Sequence, residues 1–190
     1  LRATIGCGSG IDPEQVVHSR FIVLWGTNTI VTNLHFWPLV LEAQRRGAKV
    51  VVVDPIRTRT AEAADWHVQI RPASDAALAL AMMHVMIRDG LVDDDYVSRH
   101  ASGYDALAER VQQYSPAQVS HTVGLPVEDI ERFAREYATT HPSLLRPLLW
   151  PLRPPLRREP PPKERSRPAH RPKPPPRKLL LLRRNSWRKR

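Results

Sequence analysis

Phe21-Ile22-Val23-Leu24-Trp25-Gly26-Thr27-Asn28, Lys49-Val50-Val51-Val52-Val53-Asp54-Pro55 and Arg71-Pro72-Ala73-Ser74-Asp75 decide the fold of this 190-residue chain. The first two open on short apolar runs rich in β-branched side chains, the composition of strands buried on both faces of a parallel sheet. Each run stops at a polar turn. Between them Pro38 suits a first helical turn, and Phe36, Leu39, Val40 and Ala43 form an apolar stripe that ends at Gly47. That is a β-α-β unit.

Working outward, Asp12-Pro13-Glu14 has the cap and first-turn residues of a short helix. Thr60 to Asp65 reads as a short helix and His67 to Ile70 as a third strand. Pro72-Ala73-Ser74-Asp75 leads into a helix over Ala76 to Asp89, with Ser74 or Asp75 as its cap and Gly90 as its stop. Met82, Met83 and Met86 read as core filler, and His84 as a packed or surface histidine. Helices are expected at Asp94 to His100, Tyr104 to Tyr114 and Pro126 to Thr139, with a turn at Ser115-Pro116. The expectation is an α/β fold: a short, mostly parallel Rossmann-like sheet flanked by helices, then a helical subdomain, then a disordered tail.

Charge separates body from tail. From Pro147 onward there are 15 basic and 2 acidic residues, against 14 and 17 before it, so the basic pI belongs to the tail. Twelve of the 19 prolines lie there too, and they prevent regular structure from propagating. The expected domains are residues 1–146 and a disordered 147–190. That tail has the composition of an out-of-frame reading of GC-rich DNA, which sequencing the gene across codons 146–150 tests. The competing reading makes it a basic arm for nucleic acid, with only Trp150 and Trp187 to stack on bases.

Cys7 is the only cysteine, which rules out an internal disulfide and an all-cysteine cluster within the chain. Gly6-Cys7-Gly8-Ser9-Gly10 lacks a preceding strand and reads as a flexible loop. No run approaches the roughly 20 apolar residues of a membrane span, and no secretory leader is visible, so a cytoplasmic location is expected. The start at Leu1 suggests a piece of something longer.

In β-α-β units the ligand lies beyond the carboxyl ends of the strands, which points to Gly26 to Asn28 and to Asp54 to Thr58. Neither the G-x-G-x-x-G nor the phosphate-loop fingerprint is present. Gly26 allows close backbone approach, and Asn28 tolerates positive φ. Asp54 can accept from ribose hydroxyls, or simply cap its own turn.

Four pieces in order, Trp25-Gly26-Thr27-Asn28, Asp54 to Ala61, Ala64-Asp65 and Pro72 to Asp75, together resemble the molybdopterin oxidoreductases. That superfamily includes formate dehydrogenases, periplasmic nitrate reductases and dimethyl sulfoxide reductase. The resemblance covers roughly Ile11 to Arg146. It implies a partial chain that binds a guanine dinucleotide arm of the molybdopterin cofactor, and a parent holding molybdenum between two such dinucleotides (Mo-bis-MGD) with a 4Fe-4S cluster that this chain does not ligate. The implied cofactor-binding residues are Trp25, Gly26, Thr27, Asn28, Thr29, Asp54, Pro55, Arg57, Thr58, Ala73, Ser74 and Asp75, with Asp75 pairing to guanine. Thr29 stands where many relatives have proline, and Ile56 where many have arginine. The parent would act on a small-molecule redox substrate, with an unknown electron partner and no nucleic acid. The alternative is a non-catalytic nucleotide-binding module with a basic nucleic-acid-binding tail.

Overall fold

The structure, a computed structural model, describes residues 12–147. The Cys7 loop and everything from Leu148 onward lie outside the described residues. Among the described residues four parallel strands form one sheet: β1 (Phe21–Trp25), β2 (Lys49–Val53), β3 (Trp66–Val68) and β4 (Ser143–Pro147), in the order β3-β2-β1-β4. Val23 of β1 pairs with Val51 on one side and Leu145 on the other. The all-parallel pairing agrees with the apolar character of the two central runs.

Alternation along those runs divides the core into two layers. Phe21, Val23, Val51, Val53 and Val68 point to one face, where Leu78, Ala81, Val85, Val123, Ile130 and Phe133 meet them. Ile22, Leu24, Val50 and Val52 point to the other, under Val16, Phe36, Val40 and Ala43. A sheet covered on both faces needs apolar residues at every position, and the sequence of β1 and β2 has them.

The helices are α1 (Thr29–Thr32), α2 (Trp37–Arg45), α3 (Arg59–Glu62), α4 (Asp75–Arg88), α5 (Asp94–His100), α6 (Tyr104–Val111), α7 (Pro116–Val123) and α8 (Val127–Thr139). A 3-10 turn over Pro13–His18 starts where expected, the Asp12 carboxylate accepting from the Glu14 N–H. Gly47 and Gly90 take positive φ, +95° and +65°, just beyond α2 and α4. His84 is buried, and its ring Nδ1 lies 3.0 Å from the carbonyl oxygen of Val111. Since a carbonyl only accepts, Nδ1 carries the proton.

Several expectations are corrected. Ser115-Pro116 starts α7 rather than making a simple turn: the Gln118 side chain accepts from both the backbone N–H and the hydroxyl of Ser115, and Pro116 takes the first turn. The third strand runs over Trp66–Val68, starting one residue before the expected His67 and stopping two short of Ile70. Met83 is exposed on α4, so only Met82 and Met86 of the three serve the core. The chain enters β4 where the resemblance was read as ending, and the strand takes in Pro147, as an edge strand can.

Candidate functional site

Parallel strands carry all their carboxyl ends to one edge, so the loops after β1, β2 and β3 converge there. Hydrogen bonds tie them into a single rim. The Gly26 N–H donates to Val53 O at 2.7 Å, made available by a φ of +63°. The Asp54 N–H donates to Val68 O at 3.3 Å. From β3 and the residue beyond it, the His67 ring Nε2 lies 2.9 Å from Asp54 O, and Gln69 Nε2 donates to Pro55 O at 3.1 Å. Thr60, fully buried, donates to Asn28 Oδ1 at 3.0 Å and accepts from the Ile30 N–H at 3.1 Å, joining the loop after β1 to α3.

At the first loop, the Thr27 and Thr29 hydroxyls are buried and lie 3.1 Å from each other. Among the described residues the N–H groups of Thr27, Asn28 and Thr29 have no hydrogen-bond partner, and of the three residues Asn28 is the one that is not buried. Asn28 keeps a negative φ of −86°, so the residue serves through its side chain, not through conformational tolerance.

Asp54 performs the capping role at its own turn, Oδ1 accepting from the Ile56 N–H at 2.8 Å. Its second carboxylate oxygen has no partner among the described residues. Thr58 caps α3, accepting from the Ala61 N–H at 3.2 Å. Arg57 and Arg59 are exposed, and neither makes an ion pair among the described residues. Asp65, part of the recognised pattern, is structural: its carboxylate accepts from the Val50 N–H at 2.7 Å while its own N–H returns to Val50 O.

At the third loop Ser74 occupies the N-cap position of α4, yet its hydroxyl donates backwards to Arg71 O at 2.6 Å and makes no capping bond. Asp75 is the first helical residue, and its side chain does not cap either. Instead its Oδ1 accepts from the indole N–H of Trp25 at 2.8 Å, across 50 residues of sequence. Capping as a sufficient explanation for Asp75 is thereby removed. Between Pro72 and Ser74, Ala73 adopts a φ of +64°, the only non-glycine residue to do so among those described.

Every predicted residue thus lies on or beside this edge: Trp25 to Thr29, Asp54, Pro55, Arg57, Thr58 and Ala73 to Asp75. Thr60, His67 and Gln69 went unassigned in the sequence. Thr60 sits inside the recognised Asp54–Ala61 stretch, and a polar residue on the buried side of so short a helix signals a required partner. His67 lies in a strand of three residues and Gln69 just beyond it, too short a stretch for any period to stand out.

A cleft of about 470 Å³ opens at the opposite edge, lined by Arg20, Phe21, Arg46, Gly47, Lys49, Glu136 and Thr140. It lies at the amino ends of the strands, away from the converging loops, and its Arg46, Lys49 and Glu136 are already engaged in ion pairs. Partial burial acts to raise the Glu136 carboxyl, but bonds from Lys49 and Arg132 outweigh it and hold the group below its ordinary range. The carboxyl edge, where the three loops meet, is therefore the candidate site. Among the described residues no three His, Cys, Asp or Glu side chains converge as metal ligands.

The family described as "Molybdopterin oxidoreductase" matches residues 5–173, past the point at which the motifs end. The chain is 41% identical over 143 residues to the Probable oxidoreductase YoaE of Bacillus subtilis, covering 75% of this chain and 21% of that protein. It is 36% identical over 151 residues to formate dehydrogenase H of Escherichia coli, covering 79% and 21%. Among solved structures it superimposes on acetylene hydratase from Pelobacter acetylenicus with a TM-score of 0.61 and 31% identity, over 70% of this chain and 20% of that one. The chain therefore spans about a fifth of the length of the relatives it matches. It belongs to the molybdopterin oxidoreductase family.

Proposed function

We propose that the carboxyl edge of the sheet holds a guanine dinucleotide arm of the molybdopterin cofactor. The observation that carries this reading is the convergence of the three loops on one edge, with Asp75 fixed there and not used as a cap. The donor set suits such a group. The unpartnered, half-buried N–H of Asn28 matches a pyrophosphate oxygen. The second oxygen of Asp54 is an acceptor for a ribose hydroxyl. Asp75 presents acceptors to the adjacent N–H and amino donors of guanine, and Arg57 is a cation with no ion-pair partner among the described residues.

When bound, the cofactor supplies the molybdenum and its two-electron redox chemistry. This chain's residues bind and orient the distal nucleotide, which sets where the reactive end lies. The rest of the parent protein would supply the metal ligand, the 4Fe-4S cluster, the second dinucleotide site and the substrate pocket. Purified alone, the 190-residue chain should show no molybdenum-dependent turnover, and turnover would contradict this division of labour.

Guanosine diphosphate stands in for the arm in a direct test. Asp75→Ala, an exposed substitution, should weaken its binding about tenfold, the value of one or two hydrogen bonds to a charged acceptor. Unchanged affinity in that variant would remove Asp75 from the site.

A further inference from the structure

We infer that Trp25 is a positioning residue for base selection: its indole N–H fixes the Asp75 carboxylate in the orientation that distinguishes guanine from adenine. The inference rests on Asp75 being the guanine acceptor. Both ends of the Trp25–Asp75 bond are anchored independently of any ligand. The indole ring belongs to the last residue of β1 and packs near Phe133, ring centroids 6.5 Å apart, at the border of the larger core layer. Asp75 begins α4 directly after a turn held by the Arg71 N–H to Val123 O at 2.8 Å, by Arg71 Nη1 to His121 O at 2.7 Å, and by the Ser74 hydroxyl to Arg71 O. With both backbones fixed, the remaining freedom is the rotation of the carboxylate. The 2.8 Å indole bond removes it.

Indole nitrogen is a donor only, so the bond cannot reverse. One oxygen is held by Trp25, and the other has no partner among the described residues, on a residue exposed at the rim. A carboxylate fixed this way offers only acceptors. Guanine presents two adjacent N–H donors to it. Adenine presents a bare ring nitrogen at the corresponding place and is repelled. Without the indole, Asp75 is free to turn toward solvent, and it loses discrimination before it loses charge.

The experiment is competition of guanosine, inosine and adenosine diphosphates against a fluorescent guanosine diphosphate analogue, on the intact chain and on Trp25→Phe. Phenylalanine keeps an aromatic ring beside Phe133 and deletes the donor. The basic tail attracts the phosphates of all three nucleotides alike, so the guanosine-to-adenosine ratio cancels its contribution. The expected result is a ratio that falls about tenfold in Trp25→Phe, with adenosine diphosphate affinity little changed, and no further fall when Trp25→Phe is added to Asp75→Asn. A merely structural role would weaken all three nucleotides together.

An unchanged ratio in a folded Trp25→Phe chain overturns the inference and leaves Asp75 as the guanine acceptor. A native chain with no preference for guanosine over adenosine diphosphate overturns both. Should Trp25→Phe not fold, the Trp25 indole N–H resonance decides. Displacement by Asp75→Asn and by saturating guanosine diphosphate, but not by adenosine diphosphate, supports the inference; insensitivity to all three overturns it.

Discussion

Ala73 holds a φ of +64° at the third position of the Arg71–Ser74 turn, where the Ser74 N–H closes on Arg71 O at 3.3 Å. Proline before it and positive φ at this position are the marks of a type II turn, which glycine fills without strain. The alanine methyl costs about 1–2 kcal/mol here, partly offset because glycine has more freedom to lose on folding. Ala73→Gly should therefore stabilise the chain by about 0.5–1 kcal/mol in urea unfolding, and a loss of stability would show that the methyl is needed. The strain lies two residues from Asp75, at the rim. At this scale the sequence was informative about residue types but silent about pairings. Trp25 and Asp75 each stood out within its own motif, yet nothing in 50 intervening residues announces a bond between them. Asp54 illustrates the reverse: both of its readings were legible, and its carboxylate performs the capping one with one oxygen while the other has no partner among the described residues.

At the level of elements, α8 is the clamp on the face of the sheet that positions Trp25. Phe133 is fully buried and lies among the rings of Phe21, Trp25 and Trp66, with centroids 5.7–6.5 Å away. Phe133→Ala should cost about 3–5 kcal/mol in denaturant unfolding and should weaken guanosine diphosphate binding by loosening Trp25. A cost below about 1 kcal/mol would mean that the rings close over the gap. Outside this core, Arg88, Asp89, Glu131 and Arg135 lace α4 to α8. Bonds from Arg88 and then Arg135 hold the Asp89 carboxyl down at about 2, against an ordinary 3.8. A depressed folded value means that the unfolded chain takes up the proton first. The stabilisation is complete above about pH 4 and drains away as pH falls toward 2. Asp89→Asn should flatten the pH dependence of unfolding in that window; an identical profile would show that the network adds nothing. Elements with a strong period or a β-branched run were legible from sequence: β1, β2, α2, α4 and α8. Those missed had other origins. The start of α7 depends on a side-chain cap that also reads as a turn, and β4 is an edge strand held chiefly by backbone pairing to β1, for which Leu144 and Leu145 alone are a faint signal.

For the whole molecule, the central fact is a chain that matches about a fifth of each relative, with four parallel strands among its described residues and, later in its sequence, a basic tail of different composition. Exposed Val31, Leu34 and Ile56 lie in segments following β1 and β2, and Leu145 lies on the edge strand. The α/β class was legible because an all-parallel sheet follows from burial on both faces, and such a sheet gathers its loops at the carboxyl edge. The cleft at the amino edge was not, since it arises from where Arg20, Lys49 and Glu136 meet in space. Those two edges make the account decidable. The most direct measurement is an amide chemical-shift map of the intact, isotope-labelled chain titrated with guanosine diphosphate. The expected shifts are concentrated at residues 25–30, 54–58 and 71–75, together with the Trp25 indole. Shifts confined to Arg20, Arg46, Lys49 and Thr140, or shifts absent from the carboxyl edge at saturation, would contradict it.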